Sequence, residues 1–303
     1  MSEALYQVSL AVNARARLGE SPLWHPTEQQ LYYVDIPACQ VLRFDPVAQE
    51  LQRWDVGSEA GCLAPLEGGG LLLAQRDGLW RLDTETGQRT QVAAAPYDTA
   101  TQRFNDGKAD PQGRFWAGTV YEPREPALAA LYRFAAGKFT QMVDDAVTAN
   151  GLGWSPDGRT MYWTDTRAHT IWAFDFDGAG GEIANRRVFA TFAKRGPEQS
   201  LDAYGGRPDG AAVDVNGCYW VAMYEGQRLL QLSPQGELLR EVPLPVRCPT
   251  MPAFGGADLR TLYLTSASDK RPAEELAAQP WAGCVLQLRV ETPGLPANFA
   301  HLA

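Results

Sequence analysis

The sequence predicts an all-β protein, a six-bladed β-propeller of four-stranded antiparallel blades, and three observations predict it. Three stretches place a turn glycine shortly before Trp or Tyr: "DPQGRFW" (Gly113, Trp116), "SPDGRTMYW" (Gly158, Tyr162, Trp163) and "DVNGCYW" (Gly217, Tyr219, Trp220). Each reads as strand, tight turn, strand, since glycine tolerates the positive φ of the turn and aromatic side chains fit a pleated, half-buried surface. A second hairpin around a polar turn follows each of them, and helical periodicity is nearly absent.

Taken in order, the first unit pairs "HPTEQQLYY" (His25 to Tyr33) with "VLRFDPVAQELQRW", and the second pairs "LEGGGLLLA" (Leu66 to Ala74) with "LWRLDTETGQRTQV". The Gly113, Gly158 and Gly217 hairpins lead into "LYRFAAGKFTQMV", "IWAFDFDGAGGEIANRRVF" and "LLQLSPQGELLREV". "FGGADLRTLYL" (Phe254 to Leu264) opens a sixth unit; "YQVSLAV" (Tyr6 to Val12) is expected to complete it beside "CVLQLRV" (Cys284 to Val290) and close the ring. Only "RPAEELAAQ" (Arg271 to Gln279) reads as a helical turn or two. A blade cannot bury both faces alone, so a single domain over residues 1–303 is expected. Two stacked β-sandwiches are the alternative.

A hydrophobic content of 45% and a charged content of 21% are ordinary for a globular chain long enough to bury a sizeable core. A formal charge of −9 argues against nucleic acid or an anionic membrane as partner, because both require a basic face. The start "MSEALYQVSLAVNARA" has no cationic segment ahead of an apolar run, which reads as a cytoplasmic protein, monomer or homodimer. The five cysteines are scattered and never form a Cys-x-x-Cys pair, so reduced, mostly buried thiols are expected.

Counting eight residues back from Gly113, Gly158 and Gly217 gives Asn105, Asn150 and Asp209, and the matching position of the first unit gives Glu20. The first strand of a propeller blade is innermost, so side chains at one phase of it meet at the same mouth of the channel. The second unit breaks the series with Gly61 and the sixth offers Pro249 and Thr250. An Asn or Asp ahead of a strand is ordinarily a turn former bonding its own backbone, but four in register point to a shared site. Two carboxylates and an amide carbonyl in a small space repel and are costly to desolvate unless something positive sits among them. Oxygen donors suit one divalent metal cation, Ca²⁺, Mg²⁺ or Mn²⁺; Zn²⁺ remains open but lacks its preferred His or Cys.

The stretches "GESPLW" (19–24), "YVDI" (33–36), "RFNDGKADPQGRFWAGT" (103–119), "NGLGWSPDG" (150–158), "RPDGAAVD" (207–214) and "FGG" (254–256) together resemble the gluconolactonase and regucalcin (senescence marker protein) family of sugar-lactone hydrolases. The resemblance runs from about Gly19 to Gly283 and implies a six-bladed propeller. It also implies that Glu20, Asn150 and Asp209 ligate one divalent cation, that Arg103 and Asn105 bind substrate oxygens, and that Asp209 doubles as general base. A substrate-contacting glutamate shortly after "AGT" falls on Glu122, with Glu125 as the other register. Arg207 stands where many members carry an apolar residue and reads first as a solvated surface side chain; the long segment 193–207 is a place where substrate choice is shaped.

This constellation fits hydrolysis of a cyclic ester: a cation polarises the carbonyl or a water, Asp209 moves the proton, and Arg103 and Asn105 favour polyhydroxylated substrates such as a small sugar lactone. No Gly-x-Ser-x-Gly elbow and no paired histidines occur, which sets aside a serine triad and a zinc-protease helix. "FDFDGAGGE" (Phe174 to Glu182) matches a calcium loop only superficially and reads as a hairpin turn. Two other functions compete: a different metal-dependent hydrolase, for example one acting on phosphotriesters, and a non-enzymatic calcium-binding propeller.

Overall fold

The computed structural model describes residues 6–302; residues 1–5 and 303 of the expected domain lie outside the described residues. It contains six four-stranded antiparallel sheets, a six-bladed β-propeller, and among the described residues one short helix, Ala273–Ala278. The innermost strands of blades 1 to 6 are Gly19–Trp24, Ala60–Pro65, Gln102–Ala109, Ala149–Trp154, Arg207–Val213 and Pro249–Gly255. Blades 1 to 5 run through four consecutive strands, whereas blade 6 takes its outermost strand from Ser9–Val12, which pairs with Val285–Arg289. This is the closure expected from the sequence.

Burial falls outward along each blade. The inner strands are almost wholly buried, while outermost strands such as Glu50–Asp55 and Leu238–Pro243 alternate little and face solvent. Six apolar clusters lie between successive blades. Trp116 of blade 3 meets Trp154 and Trp163 of blade 4 in one of them, and Trp220 of blade 5 meets Leu262 and Leu286 of blade 6 in another. The repeated aromatic residue is thus blade packing, each ring filling the seam to a neighbouring sheet.

The same hairpins carry a second device that glycine spacing alone does not reveal. Asp214, fully buried, accepts hydrogen bonds from the amides of Asn216 (3.0 Å) and Cys218 (2.9 Å) and from Trp220 Nε1 (2.9 Å). Asp110 does the same for Gln112 N (2.9 Å), Arg114 N (3.0 Å) and Trp116 Nε1 (2.9 Å). One carboxylate therefore ties the turn to the packed indole. All five cysteines are free thiols, and no helix is long and apolar enough to cross a membrane among the described residues.

Candidate active site

Every innermost strand carries a register break: between Glu20 and Leu23, Ala60 and Cys62, Phe104 and Gly107, Asn150 and Gly153, Pro208 and Ala211, and Pro249 and Pro252. A bulge inserts an unpaired residue and re-aims side chains, so the four residues found by phase sit where the strand stops alternating. Gly151 takes up the positive φ this requires in blade 4 (+59°), and a Cβ there would lie 2.3 Å from Thr164 Oγ1 and Tyr219 Oη.

The bulges bring four of the expected residues into one hydrogen-bonded chain across blades 3, 4 and 5. Arg103 Nη1 donates to Asn105 Oδ1 (2.8 Å), Asn105 Nδ2 donates to Asn150 Oδ1 (2.8 Å), and Asn150 Nδ2 donates to Asp209 Oδ1 (2.5 Å) and Thr166 Oγ1 (2.7 Å). Glu20 is buried beside this chain, within electrostatic reach of Asp209, Asp106 and Arg103. Burial, then Asp209, then Asp106 push the Glu20 carboxyl well above the usual carboxylate range. Burial likewise pushes Asp209 up to about 8, with Arg207 opposing and Asp106 adding to the rise.

Asp106 was missed by reading one phase of the strand. The bulge turns two consecutive residues inward, Asn105 toward Asn150 and Asp106 toward blade 4, where its Oδ2 accepts from Leu152 N (3.0 Å). Its Oδ1 is buried without a hydrogen-bond partner. Beneath it Lys108 Nζ donates to the carbonyls of Leu152 (2.8 Å) and Ala211 (2.5 Å), spanning blades 3 to 5 across the channel. Burial lowers the Lys108 pKa while Asp106 supports its charge. The adjacent pair in "RFNDGK" was the available signal for Asp106.

The two gaps in the ring have physical causes. A Cβ on Gly61 would stand 2.3 Å from Phe104 O, so blade 2 yields its place to the backbone that carries Arg103 and Asn105. Thr250 Oγ1 donates to Gly19 O (2.5 Å) and Thr265 Oγ1 (2.8 Å), fastening blade 6 to the strand that bears Glu20. Gly61→Ala is expected to force that backbone aside at a cost of about 2 kcal/mol, read as a lower urea midpoint with unchanged slope.

At the rim, Glu122 stands outside the buried chain. Its carboxylate is 41% exposed and gripped by Arg76 at 2.9 and 3.0 Å, which holds it below the usual carboxylate range. Glu125 is exposed in the same loop. Arg207, read from the sequence as a solvated side chain, is instead held in place: Nη1 donates to Glu225 Oε2 (2.5 Å), the guanidinium lies 4.9 Å from the Tyr224 ring centroid, and its charge reaches Asp209. The long segment before it is anchored through Tyr204, whose hydroxyl is 3.3 Å from His169 Nε2, and through Arg247, which binds Leu201 O (3.2 Å) and Asp202.

A propeller with buried acids, amides and an arginine at one mouth defines a class of protein with a polar small-molecule site at the channel end. Residues 18–268 match the SMP-30/Gluconolactonase/LRE-like region, and the chain belongs to that family. It is 43% identical to a 6-deoxy-6-sulfogluconolactonase of Pseudomonas putida, over 91% of this chain and 92% of that one. It is 36% identical to regucalcin of Danio rerio, over 93% and 94%. Its fold superimposes with a TM-score of 0.89 on a calcium-binding protein, regucalcin, from Agrobacterium tumefaciens, at 26% identity over 96% of each chain.

Proposed function

We propose that the protein is a metal-dependent lactonase that opens a sugar-acid lactone to the free aldonic acid, acting as one domain. The observation that carries the reading is the hydrogen-bonded chain from Arg103 through Asn105 and Asn150 to Asp209, with Glu20 buried beside it. The names of the Pseudomonas and regucalcin-like relatives support the lactone chemistry and a divalent cation, with calcium the first to test.

The donors fit such a cation. Glu20 and Asp209 are buried carboxylates that disfavour each other's charge, and Asp209 alone would keep its proton up to about pH 8. Both conditions reverse when a positive charge lies between them. No cluster of three or more His, Cys, Asp or Glu side chains in ligating reach occurs among the described residues, so amide oxygen would complete the set. Asn150 now presents its Nδ2 to Asp209; a half-turn of the amide would present Oδ1 instead. Glu20, Asn150 and Asp209 would hold the cation, which when bound supplies Lewis-acid stabilisation of the developing oxyanion.

The chain's own residues do the rest. Asp209, ionised, takes a proton from the water that attacks the lactone carbonyl; as the ring carbon–oxygen bond breaks, it returns that proton to the leaving ring oxygen. Arg103, half-buried at the rim side of the chain, donates to substrate oxygens, and Asn105 lies between it and Asn150. Burial of Asp209, Glu20 and Asp106 keeps bulk water from screening these interactions.

The test is a panel of five- and six-carbon lactones with protein stripped by chelator and reconstituted with each cation in turn. Turnover should disappear on stripping and return with one or more divalent ions, and phosphotriesters should be poorer substrates than sugar lactones. Undiminished lactone opening by stripped protein would overturn the metal dependence. Tight calcium binding with no turnover of any lactone would make the protein a binding propeller.

A further inference from the structure

Around the mouth, one layer outside the buried chain, the structure gathers arginines for which the proposed hydrolysis has no use. Arg124, in the loop after Phe115–Tyr121, donates from Nη1 to Thr148 Oγ1 (2.8 Å), two residues before Asn150. Arg167 follows Thr166, the residue whose hydroxyl accepts from Asn150 Nδ2. Arg207 lies two residues before Asp209 on the innermost strand of blade 5. The three residues thus come from blades 3, 4 and 5, each placed by its own strand or by a hydrogen bond beside the residues of the buried chain.

The backbone brings the first two together, since Thr166 N donates to the carbonyl of Thr148 (3.0 Å), the residue whose hydroxyl Arg124 binds. Burial, and then the charges of Arg167 and Arg207, depress the Arg124 pKa against the opposing charge of Glu122, and the same two arginines act on His169. Among the described residues the guanidinium groups of Arg124 and Arg167 form no ion pair with a carboxylate; Arg124 Nη1 donates to a threonine hydroxyl, and Arg167 meets Asp165 only through its backbone amide (3.1 Å). The nearby acids are otherwise engaged: Glu122 grips Arg76, and Glu225 binds Arg207 and Arg271. In a chain of formal charge −9, two guanidinium groups without an ion pair among the described residues beside a third are a local concentration of positive charge. Arg124 holds a left-handed backbone conformation (φ 73°), which an unsubstituted glycine would adopt without cost.

We propose that Arg124, Arg167 and Arg207 form an anion subsite at the rim of blades 3 to 5 that binds a tetrahedral oxyanion substituent, sulfonate or phosphate, on the end of the lactone remote from its carbonyl. The planar fork of each guanidinium matches two oxygens of such a group; Arg124 and Arg167 have theirs free of a carboxylate ion pair, while Arg207 shares its charge with Glu225. This rests on the lactonase reading: with the carbonyl at Asp209, the far end of a six-carbon sugar lactone emerges toward the rim. An uncharged lactone would leave the guanidinium groups repelling one another; a charged one relieves that repulsion as it binds, and also gains from steering at low salt.

The experiment compares kcat/KM for gluconolactone, its 6-sulfonated analogue and its 6-phosphorylated analogue, in wild type and in Arg124→Gln and Arg167→Gln. Arg207 is left intact because its charge also reaches Asp209. Wild type should prefer the charged lactones by about ten-fold or more, each variant should lose most of that preference, and neutral-lactone turnover should stay within about three-fold. The preference should shrink as salt rises. Sulfonate favoured over phosphate, or the reverse, identifies which oxyanion the rim reads. Equal rates on charged and neutral lactones, or variants that lower both alike, would overturn the subsite while leaving the lactonase reading intact. Failure to open any lactone would strike that reading instead; the subsite is then read by calorimetric binding of the 6-sulfonated aldonate, which must exceed that of gluconate and weaken in both variants, or the subsite too is wrong.

Discussion

Asp209→Asn is expected to lower kcat for lactone opening by about 10²- to 10⁴-fold with a much smaller effect on KM. The amide keeps the shape of the carboxylate and can still accept from Asn150 Nδ2, so the chain of hydrogen bonds to Arg103 survives while the proton acceptor is lost. A companion measurement concerns the metal-free protein. Because Asp209 is raised from its usual 3.8 to about 8, the folded form binds this proton more tightly than the unfolded form. Its contribution to stability is complete below about pH 4 and is lost as pH rises through about 8, with Glu20 shifted in the same direction. Denaturant midpoints of stripped protein should therefore fall from acid to pH 8, more shallowly in Asp209→Asn. Cation binding should release protons, seen as a dependence of the calorimetric heat on the buffer's ionisation enthalpy, and wild-type turnover that ignores Asp209→Asn would exclude the base assigned to it.

Asp214→Ala is expected to destabilise the fold by about 3 kcal/mol or more, the largest structural effect of any single substitution considered. Three donors lose their acceptor at once in a fully buried setting, two of them backbone amides of the turn and the third the indole of Trp220 that packs the seam to blade 6. Urea unfolding measures the loss. Asp214 lies five residues beyond Asp209, just past the other end of the innermost strand of blade 5 and on the order of 15 Å away, so protein that remains folded at low temperature should keep its catalytic constants. A midpoint within error of wild type would show that the turn holds without the carboxylate.

The blade count, the ring closure by Tyr6 to Val12 and the short helix near Arg271 to Gln279 were all legible in the sequence, because turn glycines and alternating aromatics are local signals that need no knowledge of partners. The convergence of Asn105, Asn150 and Asp209 was legible for a related reason: a repeated unit converts equal phase into equal position. Asp106 and Lys108 were not, since a bulge breaks the alternation that phase counting assumes and turns neighbours to the same side. Arg207 was misjudged because its partner Glu225 lies on the far side of a hairpin, 18 residues away, and no pattern in either segment announces the pair. The vacancy at Gly61 is intelligible only once Phe104 O is seen to fill the space.

The outermost strand of blade 6 carries a consequence for how the molecule is made. Ser9 pairs with Gln287 and Val12 with Val285, so hydrogen bonds near the start of the chain wait for residues close to its end. Contacts of such sequence separation form slowly and cannot begin until Val285–Arg289 has left the ribosome. During synthesis five blades can assemble in order while an unpaired β-edge stays exposed to other nascent chains. The toroid is sealed last, by a strand made before its first blade.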